Sequence, residues 1–463
     1  MSMLTLQQTA KILNARLIGN GQVSFDAVST DSRKAGVGDL FVALQGPNFD
    51  GHGFVASAAA QGAVAAIVSE QVECDLPQLV VADTRLALGQ LASAWRARFT
   101  GMVIGITGSN GKTTVKEMIA SILSQKGAVL ATDGNLNNDI GVPLMLLRIK
   151  PELHGVAVIE MGANHAGEIA YLASLVQPQV AVITNAAAAH LEGFGSLEDV
   201  ARAKGEIWQG LRESGTAVIN LDDEFADYWR ELVVDHESIG FGLLPSAEVR
   251  LAEGGVHWAI SEKGYKSTFS IQTPAGVIAI AMDLAGRHNV MNALAASAAS
   301  MVAGANLAEI QAGLERMAPV KGRLQPKTTA HGQLLIDDSY NANPASLRAA
   351  IDVLMQAPGE KILVMGDMAE LGGKADQIHF EVGEEVREKG VDQLLAYGKH
   401  CAEAVKGFGM GASCFANQQD LIERLLPMLE EPAHQDAVLL VKGSRSAVME
   451  NVVDALIARG PGQ

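Results

Sequence analysis

The chain has 463 residues, more than one hydrophobic core accommodates, and this length predicts about three domains. Hydrophobic residues make up 48% of the sequence and charged residues 19%, which excludes a disordered or a fibrous protein. The net charge of −17 disfavours nucleic acid and anionic membranes as partners, so anionic ligands must be held by local cations and backbone amides.

The N-terminus and the cysteines indicate where the protein works. The first residues lack a basic region that leads into an apolar core, and no uncharged apolar span reaches about 18 residues. Cys74, Cys401 and Cys414 are scattered without a C-x-x-C pair, so neither a disulfide framework nor a zinc site is predicted. We therefore expect a protein of the reducing cytoplasm that does not insert into membranes, and its acidic, self-contained domains favour a monomer.

Residues 1–98 are predicted to form a small α/β domain. Short apolar runs alternate there with alanine-rich helical stretches, the runs at 40–44, 65–68 and 79–81 and the helical stretches at 54–61 and 86–99. This alternation is typical of a sheet covered by helices.

The second block, residues 99–316, opens with a candidate phosphate-binding loop. Gly105–Thr114 lies between an apolar run at 102–106 and a helical pattern. In that order, successive backbone N–H groups and the helix N-terminus face the phosphates, and Lys112 reaches the outer ones. The spacing departs by one residue from G-x-x-x-x-G-K-[ST], because Ile106 stands five residues before Gly111. The pattern predicts ATP or GTP binding, and a glycine-rich turn that binds nothing is the alternative.

Polar residues follow two predicted strands of this block, at 156–160 and 180–185. Ligands of open α/β sheets bind beyond the carboxyl ends of the strands. Glu160 is therefore predicted to hold Mg²⁺ or to position water, with a solvated end-of-strand acid as the alternative. His190 follows the next strand at the same edge and is either a ligand or an ordinary loop histidine. Residues 237–283 are predicted to be an antiparallel insertion.

Lys204 stands on the apolar side of a predicted helix. The apolar residues of that face recur at helical spacing, namely Leu197, Val200, Ala201, Ile207, Trp208 and Leu211. From spacing alone, the ordinary outcome is a side chain that extends to water. If the amine is instead held back near the nucleotide, burial lowers its pKa and allows carbamate formation with CO₂, which produces a carboxylate-like metal ligand.

In residues 317–463, apolar strand patterns again alternate with helical patterns. They are predicted to form a doubly wound parallel sheet with strands at 334–337, 362–365, 394–396 and 438–441. A helix is predicted to begin at Asn343-Pro344, a cap followed by proline in the first turn. Two turns rich in hydrogen-bonding groups, 337–344 and 441–446, follow strands of this sheet. They are either ordinary caps or two sides of a binding cleft.

Several of these motifs together resemble a known family. The stretches 108–114, 286–292 and 337–344, with His190, resemble the Mur ligases, which are three-domain ATP-dependent amino-acid or peptide ligases of peptidoglycan synthesis. Three further stretches, 134–143, 160–168 and 366–372, are similar to those members that add D-alanyl-D-alanine. The Asp-Asn-Pro-Arg signature of the sibling that adds the third residue is absent. The resemblance covers essentially the whole chain.

The resemblance implies a fold and a reaction. The fold would be a small N-terminal α/β domain that binds the UDP sugar, a central P-loop ATPase-type parallel sheet with the antiparallel insertion, and a C-terminal Rossmann-like ligase domain. The reaction would join D-alanyl-D-alanine to UDP-N-acetylmuramoyl tripeptide through an acyl phosphate, with ATP as the phosphoryl donor and Mg²⁺, two ions, as the cofactor. The tripeptide ends in diaminopimelate or in lysine, and the sequence leaves this open.

Carried over motif by motif, the resemblance also implies roles for individual residues. The ATP phosphates would be held by the loop, that is by Gly108, Ser109, Asn110, Gly111, Lys112, Thr113 and Thr114. The metal ligands would be Thr113, Glu160, His190 and a carbamylated Lys204, and the adenosine contacts would be Asn289, Asn292, Arg323 and Asp338. The catalytic set would be Lys112, Glu160, His190 and Lys204. Substrate contacts would be Ser29, Thr30, Asp31, Ser32, Arg33, Gly46, Asn48, Asp50, His52, Asn137, Asn138, Tyr340 and Asn341.

Two other functions are compatible with parts of the pattern. A folylpolyglutamate or cyanophycin-type ligase shares the loop and the third domain, but it would need a different N-terminal module. A nucleotide-driven switch would also carry a phosphate loop, although a GTP switch should contain Asn-Lys-x-Asp, and Asn-Lys does not occur in this sequence.

Overall fold

The structure is a computed structural model that describes residues 2–188, 191–261 and 264–458. Each block expected from the sequence holds one principal sheet with helices packed on it, so the predicted α/β architecture is confirmed. The domain boundaries after residues 98 and 316 stay predictions. Within the described residues, no helix has both the length and the apolar character needed to cross a bilayer.

The N-terminal block is built on a mostly parallel sheet. Its elements are β1 (Leu4–Thr5), α1 (Leu6–Leu13), β2 (Arg16–Ile18), β3 (Ser24–Phe25), β4 (Ala27–Ser29), β5 (Asp39–Val42), β6 (Gln45–Gly46), β7 (Phe49–Asp50), α2 (Val55–Ala60), β8 (Ala65–Val68), β9 (Gln78–Val80) and α3 (Thr84–Arg96). The strand order is β2-β9-β8-β5-β4, and of these pairs only β2 with β9 is antiparallel within the described chain. Alternate residues of β8 pack toward α2 and toward α3, which explains why its apolar run is continuous.

The central block carries the longest sheet. Its first elements are β10 (Met102–Thr107), α4 (Lys112–Leu123), β11 (Ala128–Ala131), α5 (Gly141–Leu147), β12 (His154–Glu160), α6 (Glu168–Val176), β13 (Val180–Ile183), α7 (Leu191–Phe194), α8 (Leu197–Gly205), β14 (Thr216–Asn220), α9 (Ala226–Leu232) and β15 (Glu237–Gly242). It continues with β16 (Val249–Ser261), β17 (Gly264–Thr273), β18 (Gly276–Met282), α10 (Arg287–Val302) and α11 (Leu307–Glu315). The strand order is β11-β12-β10-β13-β14-β15-β16-β17-β18.

The predicted bounds of the antiparallel insertion were wrong at their start. β15 pairs with β14 in parallel because α9 provides the crossover between them, and β16 also meets β15 in parallel at its first residues. The antiparallel pairs are β16 with β17 and β17 with β18. These strands extend the central sheet at its edge, since the short connection between β17 and β18 allows only antiparallel pairing.

The C-terminal block is a doubly wound sheet, as predicted. Its elements are β19 (Gln325–Thr328), β20 (Leu334–Asp338), α12 (Pro344–Leu354), β21 (Lys361–Gly366), α13 (Ala375–Glu388), β22 (Gln393–Tyr397), α14 (Cys401–Phe408), β23 (Ala412–Phe415), α15 (Gln418–Glu430), β24 (Val438–Lys442) and α16 (Glu450–Ile457). The strand order is β19-β20-β24-β21-β22-β23, and β19 joins antiparallel at the edge. Alternate residues of β20, β21 and β24 enter two separate hydrophobic clusters, one on each face of the sheet.

Helix α3 fixes the N-terminal block to the central block. It packs on α5 and α6, and one hydrophobic cluster runs through all of these helices. The Trp95 indole donates to the Ile149 carbonyl oxygen at 2.9 Å. The Arg96 guanidinium, 1% exposed, donates to backbone carbonyl oxygens of Phe99, Val176 and Gln177 at 2.8 to 3.0 Å. Burial lowers the Arg96 pKa to about 10, and the carbonyl oxygens replace the hydration that the cation has lost.

Replacing Arg96 should therefore loosen this junction. We expect Arg96→Ala to lower the free energy of unfolding by about 3 kcal/mol, because buried carbonyl oxygens lose their donors. The check is urea unfolding followed by tryptophan fluorescence. Arg98→Ala is the matched control, since Arg98 is exposed and only stacks on the Trp95 ring at 5.6 Å; it should cost less than about 1 kcal/mol. Equal losses in the two variants would contradict this account of the junction.

Candidate functional site

The phosphate loop connects β10 to α4, and two of its glycines are sterically required. Gly108 has φ +143°, and a Cβ there would lie 1.9 Å from Thr184 Oγ1. Gly111 has φ +83°, and its Cβ would lie 2.4 Å from Asn292 Oδ1. A side chain at either position would be strained by the positive φ and would clash with the side chain of Thr184 or of Asn292.

The end of the neighbouring strand β13 holds the loop in place. Thr184 donates through Oγ1 to the Asn110 carbonyl oxygen at 2.6 Å, and Asn185 Oδ1 accepts the Asn110 N–H at 3.0 Å. Ser109 Oγ accepts the Ala187 N–H at 3.0 Å and donates to the Ala187 carbonyl oxygen at 3.1 Å. The loop is therefore ordered by protein contacts alone, which is the pre-organisation that an anion site requires.

Asp223, a residue that sequence reasoning missed, supports the alanine run that begins at Ala186 after β13. Its carboxylate accepts the Ala186 N–H at 2.8 Å and the Phe225 N–H at 3.0 Å, and burial raises its pKa. It follows β14, so its position after a central strand of the sheet was the available signal. The run continues to Ala189 and His190, which lie outside the described residues.

Lys112 lies in the first turn of α4 with its amine folded back on the loop. Its Nζ donates to the carbonyl oxygens of Gly108 at 2.7 Å and Ser109 at 3.3 Å. Burial lowers its pKa, Glu160 opposes that effect, and Arg323 adds to it. The ammonium is thus held beside the loop, where phosphate oxygens of a ligand can replace these two carbonyl oxygens as its hydrogen-bond acceptors.

Glu160 lies at the centre of the site, and the alternative of a solvated acid is wrong because it is 3% exposed. Its carboxylate accepts from Thr113 Oγ1 and from Asn137 Nδ2, both at 2.9 Å. Its backbone N–H donates to Thr132 Oγ1 at 2.9 Å. Arg323 reaches the same point from the third block, since its Nη2 lies 3.1 Å from Thr113 Oγ1. A carboxylate beside a hydroxyl is a hard oxygen donor set of the kind that Mg²⁺ prefers.

Lys204 does not extend to water, so the ordinary outcome expected from its spacing was wrong. The side chain is 1% exposed on α8, and its Nζ lies 5.2 Å from the centre of the Phe194 ring. Burial and, to a smaller extent, the charge of Lys112 lower its pKa to about 7, against the opposing charges of Glu206 and Glu168. A lysine in this state has an appreciable neutral fraction at neutral pH.

Helix α10 contributes two buried amides near the loop. Asn289 donates to the Ala285 carbonyl oxygen at 2.7 Å, and Asn292 donates to Asn289 Oδ1 at 3.1 Å. His288 precedes Asn289 in the same helix. Burial and the charge of Lys442 lower its pKa to about 4, so its imidazole is neutral at pH 7. Both asparagines line the same cleft as the phosphate loop.

The end of β20 brings the third block against the loop. Asp338 is buried and ion-paired with Lys442, and burial raises its pKa. Asn343, the cap of α12, donates to Asn110 Oδ1 at 2.8 Å, so the two blocks are hydrogen-bonded through the phosphate loop itself. The Arg323 guanidinium lies 4.3 Å from the centre of the Tyr340 ring. The turns that could have been ordinary caps are therefore also one wall of a cleft.

That cleft has a volume of about 2070 Å³, well above the roughly 300–1,000 Å³ typical of a single small-molecule site. Its lining joins the phosphate loop, the Asn137–Asp139 segment and the turns after β20 and β24. Tyr340 and Asn341 are part of it. The space is sufficient for more than one substrate at a time.

The predicted UDP-sugar residues are placed elsewhere, because none of those at 29–33 and 46–52 is among the described residues that line the cleft. Arg33 pairs with Asp31 on the surface and lowers the pKa of that carboxyl to about 2. His52 is buried with both ring nitrogens engaged, Nδ1 at 2.6 Å from Asp50 Oδ1 and Nε2 accepting the Ser69 N–H at 2.8 Å. These contacts order the segment after β7 within its own block.

Comparisons with known proteins cover the whole chain. Models of the Mur ligase catalytic, middle and glutamate ligase domains match residues 24–96, 106–300 and 322–445. The chain is 48% identical to UDP-N-acetylmuramoyl-tripeptide--D-alanyl-D-alanine ligase of Escherichia coli strain K12, over 99% of both chains.

Solved structures give the same picture. The chain is similar to the UDP-N-acetylmuramoylalanyl-D-glutamyl-2,6-diaminopimelate--D-alanyl-D-alanyl ligase of Acinetobacter baumannii, with a TM-score of 0.88, 39% identity and 98% of both chains covered. It is also similar to MurF ligase of Thermotoga maritima in complex with ADP, with a TM-score of 0.78, 27% identity, and 93% of this chain and 96% of that one covered.

The buried amine of Lys204 predicts a pH-dependent stability. Its pKa falls from 10.5 to about 7 on folding, so the folded state carries the full cost of a buried ammonium below pH 7. This cost declines as the pH rises toward 10.5, since the unfolded chain alone still binds the proton there. We expect Lys204→Met, in CO₂-free buffer, to raise the free energy of unfolding by several kcal/mol at pH 6 and by much less at pH 10. A difference that stays constant across denaturant titrations at these pH values would refute the assignment.

Proposed function

Because the chain belongs to the Mur ligase family, we propose that it joins D-alanyl-D-alanine to the terminal carboxylate of UDP-N-acetylmuramoyl tripeptide, releasing ADP and phosphate. The observation that carries the proposal is the 48% identity to the E. coli ligase of that name over 99% of both chains. The match includes the N-terminal block, which a folylpolyglutamate or cyanophycin-type ligase would replace. A switch without chemistry does not account for a cleft large enough for several substrates.

The chemistry explains why the site needs these parts. A carboxylate is a poor electrophile, so an oxygen of the tripeptide carboxylate takes the γ-phosphoryl group of ATP and ADP leaves. The amine of D-alanyl-D-alanine then attacks the acyl carbon, loses a proton, and displaces phosphate. Both steps depend on position and on neutralisation of charge more than on acid–base groups.

We assign the loop residues Gly108 to Thr114 to binding of the ATP phosphates, through their backbone N–H groups and the Lys112 ammonium. Arg323 donates to Thr113 Oγ1 from the third block, so it brings a second positive charge to the phosphate loop. The bond between Asn343 and Asn110 holds the two blocks together around the loop. Contact between the two blocks at the loop favours exclusion of water, which would otherwise hydrolyse an acyl phosphate.

Thr113 and Glu160 are the residues we assign to Mg²⁺, with His190 and a carbamylated Lys204 added from the family resemblance. When bound, Mg²⁺ supplies positive charge to the phosphate oxygens during transfer. The neutral fraction of Lys204 at neutral pH is what makes addition of CO₂ feasible, and the resulting carbamate relieves the cost of a buried ammonium.

The remaining substrate and nucleotide contacts are assigned according to the three blocks of the chain. Asn289, Asn292 and Asp338 would contact adenosine, Asn137 and Asn138 the peptide stem, and Tyr340 and Asn341 the amine side. The N-terminal residues 29–33, Gly46, Asn48, Asp50 and His52 would hold the UDP sugar. We propose domains at 1–98, 99–316 and 317–463 with these roles, in a monomeric cytoplasmic enzyme.

A substrate-pair screen with phosphate release as its readout tests the proposed function. We expect turnover with UDP-N-acetylmuramoyl tripeptide and D-alanyl-D-alanine, and background rates with single amino acids. Lys112→Ala should reduce turnover at least about 1,000-fold, because the phosphoryl group loses its main protein cation. Turnover with a single amino acid but never with the dipeptide would show that the assignment is wrong.

The carbamate is tested separately by chemical rescue. Lys204→Ala should remove most of the ligase activity, and millimolar formate or acetate should restore part of it by replacing the lost carboxylate-like group. Lys112→Ala is the control, because a small carboxylate cannot replace a cation. Full activity of Lys204→Ala without added carboxylate would reject the carbamate.

A further inference from the structure

Glu160 is anchored by Thr132, a residue that has no role in the reaction described above. The pairing of β11 with β12 ends at Ala131 and Val158, so the Glu160 N–H lies beyond the last strand partner on that side. Thr132, the residue after β11, accepts this N–H on its side-chain Oγ1 at 2.9 Å. Its own N–H donates to the Val158 carbonyl oxygen at 3.0 Å. The hydroxyl thus continues the ladder between the two strands by one bond.

Lys116 fixes Thr132 from the neighbouring helix. It lies one turn after Lys112 in α4, lines the cleft and is 1% exposed. Its Nζ donates to the Thr132 carbonyl oxygen at 2.5 Å and is ion-paired with Glu117 Oε1 at 2.7 Å. A buried ammonium is costly unless it is paired and hydrogen-bonded, and these two contacts offset that cost. Thr132 is buried as well, so the bond from Lys116 is a strong restraint on it.

The bond to Thr132 differs in kind from the other contacts of Glu160. The carboxylate accepts from Thr113 Oγ1 and from Asn137 Nδ2, both at 2.9 Å. A metal bound by Glu160 and Thr113 would use the oxygens that now share a hydrogen bond, so that contact cannot hold the carboxylate in both states. The Thr132 bond is made by the Glu160 backbone and remains available when the carboxylate binds a metal. It therefore fixes the point from which the carboxylate extends.

We propose that Lys116 and Thr132 are positioning residues that hold Glu160 for its metal ion, and that Lys116 acts through Thr132 and not on a substrate. The alternative, a lysine that binds a substrate anion, is disfavoured by its burial and by its two contacts with protein oxygens. This inference rests on the proposed function and deepens it, because it adds two residues to the magnesium site.

Thr132→Val tests the proposal, because valine keeps the branched shape of threonine and removes the hydroxyl. We expect the apparent Mg²⁺ activation constant of ligation to rise about 10-fold, and Mn²⁺ binding to the ADP-bound protein to weaken by about the same factor. The KM values for ATP and tripeptide at saturating Mg²⁺ should change less than about 3-fold, since the anchor acts on the metal ligand. Mn²⁺ binding is followed by the EPR signal of the free ion against an ADP blank, so it needs no turnover.

Two further variants separate the hydroxyl from the packing around it. Thr132→Ser keeps the hydroxyl and should stay within about 3-fold of the wild-type protein in both metal constants. Lys116→Met should weaken both constants by about 3- to 10-fold, since Thr132 retains its bond to Val158. The Glu117 side chain is 40% exposed, so its carboxylate is hydrated in that variant and leaves no buried unpaired charge.

Ser121→Ala is the matched control. Ser121 lies on the same helix but donates to the Gly313 carbonyl oxygen of α11 at 2.7 Å, so its loss should leave both metal constants unchanged.

Unchanged Mn²⁺ binding in Thr132→Val, or binding in Thr132→Ser as weak as in Thr132→Val, would overturn the proposal. It would also be overturned if Lys116→Met raised the KM for ATP or tripeptide and left the metal constants unchanged, because the lysine would then bind a substrate. Failure of the proposed function is a different result: the wild-type protein would not turn over tripeptide and D-alanyl-D-alanine, whereas the Mn²⁺ comparison could still be made.

Discussion

The contact between the phosphate loop and the end of β13 is the constraint on which the site depends. Gly108 lies so close to Thr184 that a side chain there would clash with the Thr184 hydroxyl, and Thr184 and Asn185 in turn form hydrogen bonds with the loop backbone. The loop thus keeps its shape without a ligand, and the cost of ordering its N–H groups is met during folding. Glu160 and Asn292 have fixed positions because they pack against this loop.

Charge is concentrated in the cleft against the acidic background of the chain. Lys112 and Arg323 line the cleft, whereas Lys204 is buried outside its described lining. Burial lowers the pKa of both lysines, the charge of Lys112 lowers that of Lys204 further, and the charge of Arg323 lowers that of Lys112. Such an arrangement is unfavourable in the free protein and becomes favourable when phosphates enter. The strain between like charges is therefore a property of a site made for an anion.

The three blocks are joined by different kinds of contact. The N-terminal and central blocks share a hydrophobic cluster and the buried bonds of Arg96, which makes that junction rigid. The third block meets the phosphate loop through polar contacts, from Asn343 to Asn110 and from Arg323 to Thr113. Polar contacts exchange readily for substrate contacts, so this second junction is the one suited to opening and closing.

The sequence by itself determined the phosphate loop, most strands of the sheets and the cap of α12, because these depend on local spacing, apolar runs and the chemistry of Asn-Pro. It also placed Glu160 at the edge of the sheet beside the loop. Only the tertiary structure decided that Lys204 is buried, that β15 pairs in parallel, that Asp223 supports the loop, and that Thr132 accepts the Glu160 N–H. Each of these depends on packing between segments distant in the chain, and periodicity along one segment carries no information about which surface will cover it.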